Sequence, residues 1–161
     1  MTEPLSAARL GIWDDLLPGF QATGWIDGDG HPIPQASRLL LALRRGPDAE
    51  GGLERLAGTL QQAPELASAA LDQLALGDAL VAVVGASRAL TQTVAEHPDW
   101  LREAVHGQGP ESEEPERPPH HEERLLALRR FVRRGLLRVA VRDLLGLADM
   151  PQVGRELSDI A

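Results

Sequence analysis

The residues best suited to chemistry in this sequence are arginines, and they concentrate near its C-terminal end. Seven of the sixteen basic residues fall between Arg124 and Arg142, and no acidic residue interrupts them before Asp143. Guanidinium groups bind phosphate oxygens in a bidentate manner, so such a row can face a phosphate-bearing ligand or an acidic partner. The candidates for these phosphate or interface contacts are Arg130, Arg133, Arg134, Arg138 and Arg142. The alternative is a solvated helix face whose arginines pair with nearby acidic residues.

The periodicity of apolar residues places these arginines on one long helix, from about Glu122 to Gly146. One apolar stripe consists of Leu125, Leu128, Val132, Leu136 and Val139, and a second stripe on roughly the opposite side consists of Leu126, Leu137, Val141 and Leu144. A surface helix needs one apolar stripe, so two stripes predict packing against two partners. We expect one of these partners to lie outside the chain.

The last apolar stripe runs to the end of the sequence. Val153, Leu157 and Ile160 recur at helical spacing, with Pro151 at the start of the helix that they define. No glycine, asparagine or basic turn closes this helix. We therefore expect the last helix, and the chain with it, to be truncated.

Leucine, alanine and valine dominate the rest of the chain, which has no tyrosine and is 3% aromatic. Leucine and alanine are strong helix formers, so the composition predicts an all-α fold. We expect an irregular bundle of short helices, then a flexible acidic linker, then the long arginine-rich helix and the truncated last helix.

Composition shifts divide the sequence into four segments. These are an N-terminal helix and loop (1–34), a helical bundle (35–106), an acidic, proline-rich linker (107–121) and the arginine-rich helix with the segment after it (122–161). Within the first two segments we expect a helix over Leu5–Leu17, a turn at Pro18-Gly19, a helix that starts at Pro64, and helix N-caps at Ser37 and Ser87. The apolar run ALVAVVGAS is expected to be buried.

Several other polar residues have ordinary structural interpretations. Asp27 and Asp29 lack the glycine and glutamate positions of a calcium-binding loop, so a plain turn is expected. His120 and His121 are adjacent in the linker without further ligands, and no metal site is predicted. Ser87 fails the Gly-x-Ser-x-Gly pattern of a nucleophile.

The composition also excludes whole classes of function. The chain has no cysteine, so disulfides and thiolate chemistry are impossible, and it has no lysine, so a Walker A phosphate loop is impossible. The net charge of −8 argues against nucleic-acid binding. No apolar run is long enough for a transmembrane helix and no secretory signal is present, so we expect a cytoplasmic protein without membrane partners.

Three stretches of the chain resemble the N-terminal part of the glutamine synthetase adenylyltransferase family, in particular its actinobacterial bifunctional form. They are LALRRGPDAEGGLERLAGTL (Leu41–Leu60), AVVGASRALTQTVAEHPDWL (Ala82–Leu101) and LRRFVRRGLLRVAVRDLLGLADMPQVGRELSDIA (Leu128–Ala161). Their order and separations also agree with the family. Gly135 departs from it, because the family usually has a larger residue there.

The resemblance implies a nucleotidyltransferase that regulates nitrogen metabolism. Such enzymes add AMP from ATP to a tyrosine of glutamine synthetase and remove it by phosphorolysis, using magnesium held by an Asp-x-Asp pair that follows a Gly-Ser. This sequence has no Gly-Ser, and its one Asp-x-Asp lies in the early loop at Asp27–Asp29. It therefore resembles the helical lead-in to the nucleotidyltransferase core, and the likeness places no catalytic residue, ATP or Mg²⁺ within residues 1–161.

The partners implied by the resemblance are glutamine synthetase and a PII-type signalling protein. By this likeness the chain alone is expected to be inactive. The alternative is a small, non-enzymatic helical module that binds a protein partner through its arginine face.

Overall fold

The computed structural model describes residues 6–12, 15–107 and 120–160. These ranges contain no β-strand and form a short 3-10 helix, Ala8–Leu10, followed by nine α-helices. The α-helices are α1 (Leu17–Ala22), α2 (Pro34–Arg44), α3 (Ala49–Gln62), α4 (Pro64–Asp72), α5 (Leu74–Ala86), α6 (Arg88–Glu96), α7 (Pro98–His106), α8 (His121–Leu144) and α9 (Met150–Ile160). The predicted all-α fold of short helices and one long helix is confirmed. Most of the expected linker lies outside the described residues.

The helices form two compact units, residues 1–98 and 99–161. In the first unit, α5 packs against α2, α3, α4 and α6. The apolar residues of α5 are buried, as predicted, and include Leu76, Leu80, Val83 and Val84. A helix that is apolar on most sides is stable only when neighbours surround it, and these four helices supply that cover.

The N-terminal region differs from the prediction. The expected helix over Leu5–Leu17 is wrong, because the 3-10 helix ends at Leu10 and the next residue, Gly11, has a left-handed φ of 73°. α1 begins at Leu17 instead and continues through a segment predicted to be loop. Pro18 lies in its first turn, where the missing N–H costs no helical hydrogen bond, so Pro-Gly here starts a helix rather than a turn.

A buried tryptophan attaches the loop after α1 to the bundle. Trp25 has no exposed surface, and its Nε1 donates a hydrogen bond to the carbonyl oxygen of Ala67 in α4, 3.1 Å away. The ring centroids of Trp25 and Phe20 are 6.4 Å apart, within the range of favourable aromatic pairs. This loop is thus part of the core of the first unit.

The helix caps confirm one sequence prediction and correct another. The Ser87 side chain accepts a hydrogen bond from the backbone N–H of Leu90 at 3.3 Å, as an N-cap should. Ser37 is not an N-cap, because α2 begins earlier, at Pro34. The Ser37 hydroxyl donates to the carbonyl oxygens of Pro32 and Ile33 instead. As in α1, a proline lies in the first turn of the helix.

Two aspartates organise turns in the first unit. Asp27 Oδ1 accepts hydrogen bonds from the backbone N–H groups of Asp29 and His31 at 3.0 and 2.8 Å, which confirms the predicted turn. Asp48 is the N-cap of α3 and also accepts a hydrogen bond from Arg55, 2.9 Å away. The Arg55 guanidinium holds the pKa of the Asp48 carboxyl below its ordinary value of 3.8.

The second unit contains α8 and α9, which pack against each other. The long helix agrees closely with its predicted bounds and is followed by Gly146 at a φ of 67°. Across the described ranges, no helix is both long and apolar enough to cross a membrane.

Candidate functional site on the arginine helix

The candidate arginines differ in burial along α8. Arg130 is exposed, whereas Arg133, Arg134, Arg138 and Arg142 are half-buried. Arg130, Arg134, Arg138 and Arg142 follow one another at steps of four, so they share one side of the helix. The structure therefore brings these four onto one ridge, whose C-terminal part is enclosed more than its N-terminal part.

Arg134 forms an ion pair with Glu103 of α7. Its Nε and Nη2 atoms lie 3.0 and 2.9 Å from the same carboxylate oxygen, and both side chains are 34% exposed. A pair at this exposure contributes about 0–1 kcal/mol, since water screens the charges. The pair gives Arg134 a structural role within the second unit.

Arg142 forms a second ion pair, with Glu156 of α9. The glutamate is the more enclosed partner, at 18% side-chain exposure against 33% for the arginine. Its Oε1 accepts a hydrogen bond from the guanidinium of Arg142. Its Oε2 is buried and has no hydrogen-bond partner in the described part of the chain. A largely enclosed carboxylate needs a cation nearby, and Arg142 supplies that cation across the contact between α8 and α9.

Gly135 allows the two helices to approach closely. A Cβ atom at this position would lie 2.8 Å from Cδ1 of Ile160 in α9. Arg142 contacts Glu156 and Gly135 faces Ile160, so residue numbers rise along α9 as they fall along α8. The two helices therefore form an antiparallel hairpin. The sequence marked Gly135 only as a departure from a family pattern, and no sequence signal paired it with Ile160.

The two predicted apolar stripes of α8 are covered differently from what was expected. The second stripe contains buried Leu137 and Val141, but the first also contains a buried residue, Val139. The other leucines of both stripes are 41–58% exposed: Leu125, Leu126, Leu128, Leu136 and Leu144. Both stripes therefore contain buried and exposed residues, and the expectation that one partner lies outside the chain stays a prediction. The apolar side chains are exposed in the N-terminal half of the helix, whereas its C-terminal half contains the buried residues Leu137, Val139 and Val141.

The other candidate arginines and two histidines lie on α8 or directly before it. Arg133 and Arg138 both have interaction partners. His120 precedes α8 and His121 begins it, and both are exposed. Among residues 6–12, 15–107 and 120–160, no cluster of three or more histidine, aspartate or glutamate side chains could hold a metal ion.

The described residues thus define an all-α helical protein in which α8 and α9 form a hairpin joined by an arginine–glutamate contact. Residues 77–161, more than half of the chain, match the glutamate-ammonia ligase adenylyltransferase family, and the protein belongs to that family. The match runs from α5 through α9 and thus includes the arginine helix. No curated protein and no solved structure matches the chain.

Proposed function

We propose that this protein takes part in the control of glutamine synthetase, the glutamate-ammonia ligase, by adenylyl transfer. The observation that carries the proposal is the family match over residues 77–161, which contains every candidate arginine. The match covers the whole hairpin of α8 and α9 with its ion pair, so it extends over a folded element rather than over a short motif.

The finer form of this proposal follows the resemblance of the sequence to the bifunctional, actinobacterial type. There, AMP is added to a tyrosine of glutamine synthetase from ATP and removed by phosphorolysis, with Mg²⁺ in the nucleotidyltransferase core. We propose that residues 1–161 supply the helical lead-in to such a core and bind glutamine synthetase, with a PII-type protein as a further partner. No residue within 1–161 is assigned a catalytic role, and neither ATP nor Mg²⁺ is assigned a site there.

The arginines have separate roles in this proposal. Arg134 and Arg142 support the second unit through Glu103 and Glu156. Arg130, exposed on the same ridge, is the candidate best placed to contact a phosphate group or the target protein. The interpretation of Arg133 and Arg138 as phosphate contacts stays a prediction.

Binding and turnover of the purified chain test the proposal separately. We expect the chain to bind glutamine synthetase in biolayer interferometry and to transfer no AMP from radiolabelled ATP with Mg²⁺. Arg130→Glu should weaken binding, whereas Arg45→Glu, an exposed charge reversal in the first unit, should not. Absence of binding at about 100 µM would reject the role in glutamine synthetase control. Incorporation of AMP above background would show that the chain carries catalytic residues of its own.

A further inference from the structure

Two aspartates in the loop after α1 are each followed by glycine. The dipeptides are Asp27-Gly28 and Asp29-Gly30, and every other aspartate of the chain precedes a larger residue. In such a dipeptide the peptide nitrogen of the glycine can attack Cγ of the aspartate, because glycine has no Cβ atom to obstruct the approach. The chain contains no asparagine, so aspartate is the one residue type in it that can follow this route.

The reaction is a dehydration followed by a hydrolysis. The glycine nitrogen loses its proton and bonds to Cγ, one carboxyl oxygen leaves as water, and a five-membered succinimide ring forms. Water then adds to one of the two ring carbonyl carbons and breaks its bond to nitrogen. When the bond from the backbone carbonyl carbon breaks, the main chain continues through the former side chain and the product is isoaspartate. Neither the mass of the chain nor its oxidation state changes.

Four hydrogen bonds hold Asp27 in place. Its Oδ1 atom accepts hydrogen bonds from the backbone N–H groups of Asp29 and His31, at 3.0 and 2.8 Å. Its backbone carbonyl oxygen accepts from Nε2 of Gln21 at 3.0 Å and from the N–H of Gly30 at 3.2 Å. The nitrogen that would attack Asp27 belongs to the same peptide group as this carbonyl oxygen. Rotation of the carboxyl group and the peptide group toward each other would break these bonds.

Asp29 is held less firmly. Its side chain is exposed and has no hydrogen-bond partner among the residues that the structure describes. Within the same residues, the peptide group between Asp29 and Gly30 makes one hydrogen bond, from the Gly30 N–H to the carbonyl oxygen of Asp27. That oxygen keeps Gln21 as a donor when the bond breaks. Each hydrogen bond changes an equilibrium by about two- to tenfold, so one bond opposes the reaction much less than four do.

We propose that Asp29-Gly30 is a site of spontaneous isoaspartate formation in the folded protein, and that the hydrogen bonds of Asp27 protect Asp27-Gly28. The two dipeptides have the same composition and lie in one exposed loop. The difference in their reactivity therefore comes from the hydrogen bonds of the fold. This modification site goes beyond the proposed function and involves the first unit alone.

The modification has a structural consequence for the N-terminal segment. The carbonyl oxygen of Gly30 accepts a hydrogen bond from the backbone N–H of Ala7 at 2.9 Å. Ala7 is buried, as is Leu10 in the 3-10 helix that follows it. Isoaspartate at position 29 adds one carbon to the main chain directly before Gly30. The carbonyl oxygen is then displaced, and the attachment of Ala7 to the loop is lost.

The test incubates the full chain at neutral pH and physiological temperature, once folded and once in guanidinium chloride. Electron-transfer dissociation in a mass spectrometer distinguishes isoaspartate from aspartate at each position by its fragments, although the masses are equal. In the folded chain, isoaspartate should form at least about tenfold faster at Asp29 than at Asp27. In the unfolded chain the two rates should be similar, because the protecting hydrogen bonds are absent there.

Matched variants assign the reaction to one dipeptide. Asp29→Glu should lower isoaspartate formation in the folded chain at least about tenfold, since glutamate would have to form a six-membered ring and Asp27 stays protected. Gly28→Ala is the control, because no heavy atom would lie within 4 Å of the new Cβ atom and the rate at Asp29 should not change. Both positions are exposed, so circular dichroism should show the wild-type helix content in each variant.

Hydrogen exchange measures the consequence of the modification. The Ala7 amide should exchange faster in wild-type protein after incubation than before it, whereas incubated Asp29→Glu should keep the original rate. Unchanged exchange at Ala7 in modified protein would reject the loss of its attachment to the loop.

Two results would overturn the assignment of the site. The first is isoaspartate that forms as fast at Asp27 as at Asp29 in the folded chain, because the hydrogen bonds of Asp27 would then give no protection. The second is a folded chain without isoaspartate at a time when the unfolded chain contains it at both positions. In that case the single hydrogen bond of the Gly30 N–H would be sufficient protection. A failure of the chain to bind glutamine synthetase would leave all of these outcomes unaffected.

Discussion

Gly135 of α8 and Ile160 of α9 are so close that a Cβ atom on the glycine would lie 2.8 Å from Cδ1 and 2.9 Å from Cγ1 of the isoleucine. Real Cβ atoms essentially never approach other atoms to this distance, so the isoleucine side chain or one of the helices would have to shift to accommodate a side chain. Glycine in a helix interior costs about 0.5–1 kcal/mol relative to alanine. The hairpin thus combines a weaker local helix with a closer contact between helices.

Replacing Gly135 by alanine should therefore not give the usual gain of helix stability. We expect the gain of about 0.5–1 kcal/mol to be offset or exceeded by an overpacking cost of about 1–3 kcal/mol. In an Ile160→Ala background the overlap is gone, so Gly135→Ala should stabilise by about 0.5–1 kcal/mol. Urea unfolding of the four chains in this double-mutant cycle measures the change of sign.

Gly154 in α9 provides the control for this experiment. No heavy atom would lie within 4 Å of a Cβ atom there, so Gly154→Ala should be stabilising in either background. The relationship between Gly135 and Ile160 would be contradicted by additive free energies in the cycle, since additivity is expected only for residues that do not interact.

Gly77 in α5 should tolerate alanine less than Gly135 does. Its Cβ atom would lie 2.5 Å from the carbonyl oxygen of Ala70, a backbone atom of α4, and 3.0 Å from Cδ1 of Leu39. Backbone moves less readily than a side-chain end, so we expect a loss of about 1–3 kcal/mol of unfolding free energy. Gly58→Ala in α3, where the space is open, should instead raise stability by about 0.5–1 kcal/mol. Equal stability of the two variants would show that α4 and α5 are not in close contact at Gly77.

The ion pair of Arg134 and Glu103 can be tested by exchanging its charges. Arg134→Glu places two carboxylates together, and we expect a loss of about 1 kcal/mol, limited because the site is partly exposed. Adding Glu103→Arg should recover most of the loss, as measured by denaturant unfolding. Arg130→Glu, on the same ridge but exposed, should change stability by less than about 0.5 kcal/mol. If the exchanged pair recovers nothing, Arg134 does not act through Glu103.

Asp48 should titrate below its ordinary pKa of 3.8, since Arg55 donates a hydrogen bond to its carboxylate and attracts its negative charge. A lowered folded-state pKa means that the pair stabilises the fold above the ordinary value and loses this contribution as the pH falls through the lowered value. Carboxyl carbon chemical shifts measured by NMR as a function of pH give the pKa directly. In Arg55→Gln the pKa should move up toward 3.8, and an unchanged value would exclude Arg55 as the cause.

Helix positions in this protein could be predicted because they depend on local chemistry. Proline at the start of α4 and the Ser87 cap of α6 both follow from the geometry of the first helical turn, and both were found where expected. The same chemistry was misread at Pro18 and at Ser37. A proline near a helix start favours either a turn or a first helical turn, and packing against the bundle decides between them.

The contacts of the candidate arginines could be predicted only in part. The spacing of the arginines along the sequence predicted that they lie on one ridge, because helical geometry alone determines that arrangement. The spacing could not predict that Arg142 forms an ion pair and that Arg130 is exposed. The glutamates that pair with arginines of α8 belong to other helices, α7 and α9. Ion-pair partners depend on how helices pack, and a helical pattern contains no information on that.

The sequence by itself determined the helical class of this protein, the extent of its longest helix and its family, because periodicity, capping and motif order are properties of the chain. Only the tertiary structure decided which parts of α8 are covered. A two-stripe pattern states that a helix can be covered on two sides, but the burial of Val139 and the exposure of Leu128 depend on how other helices pack against it. α9 contacts α8 through one glycine–isoleucine approach and one arginine–glutamate pair, which act across space rather than along the chain.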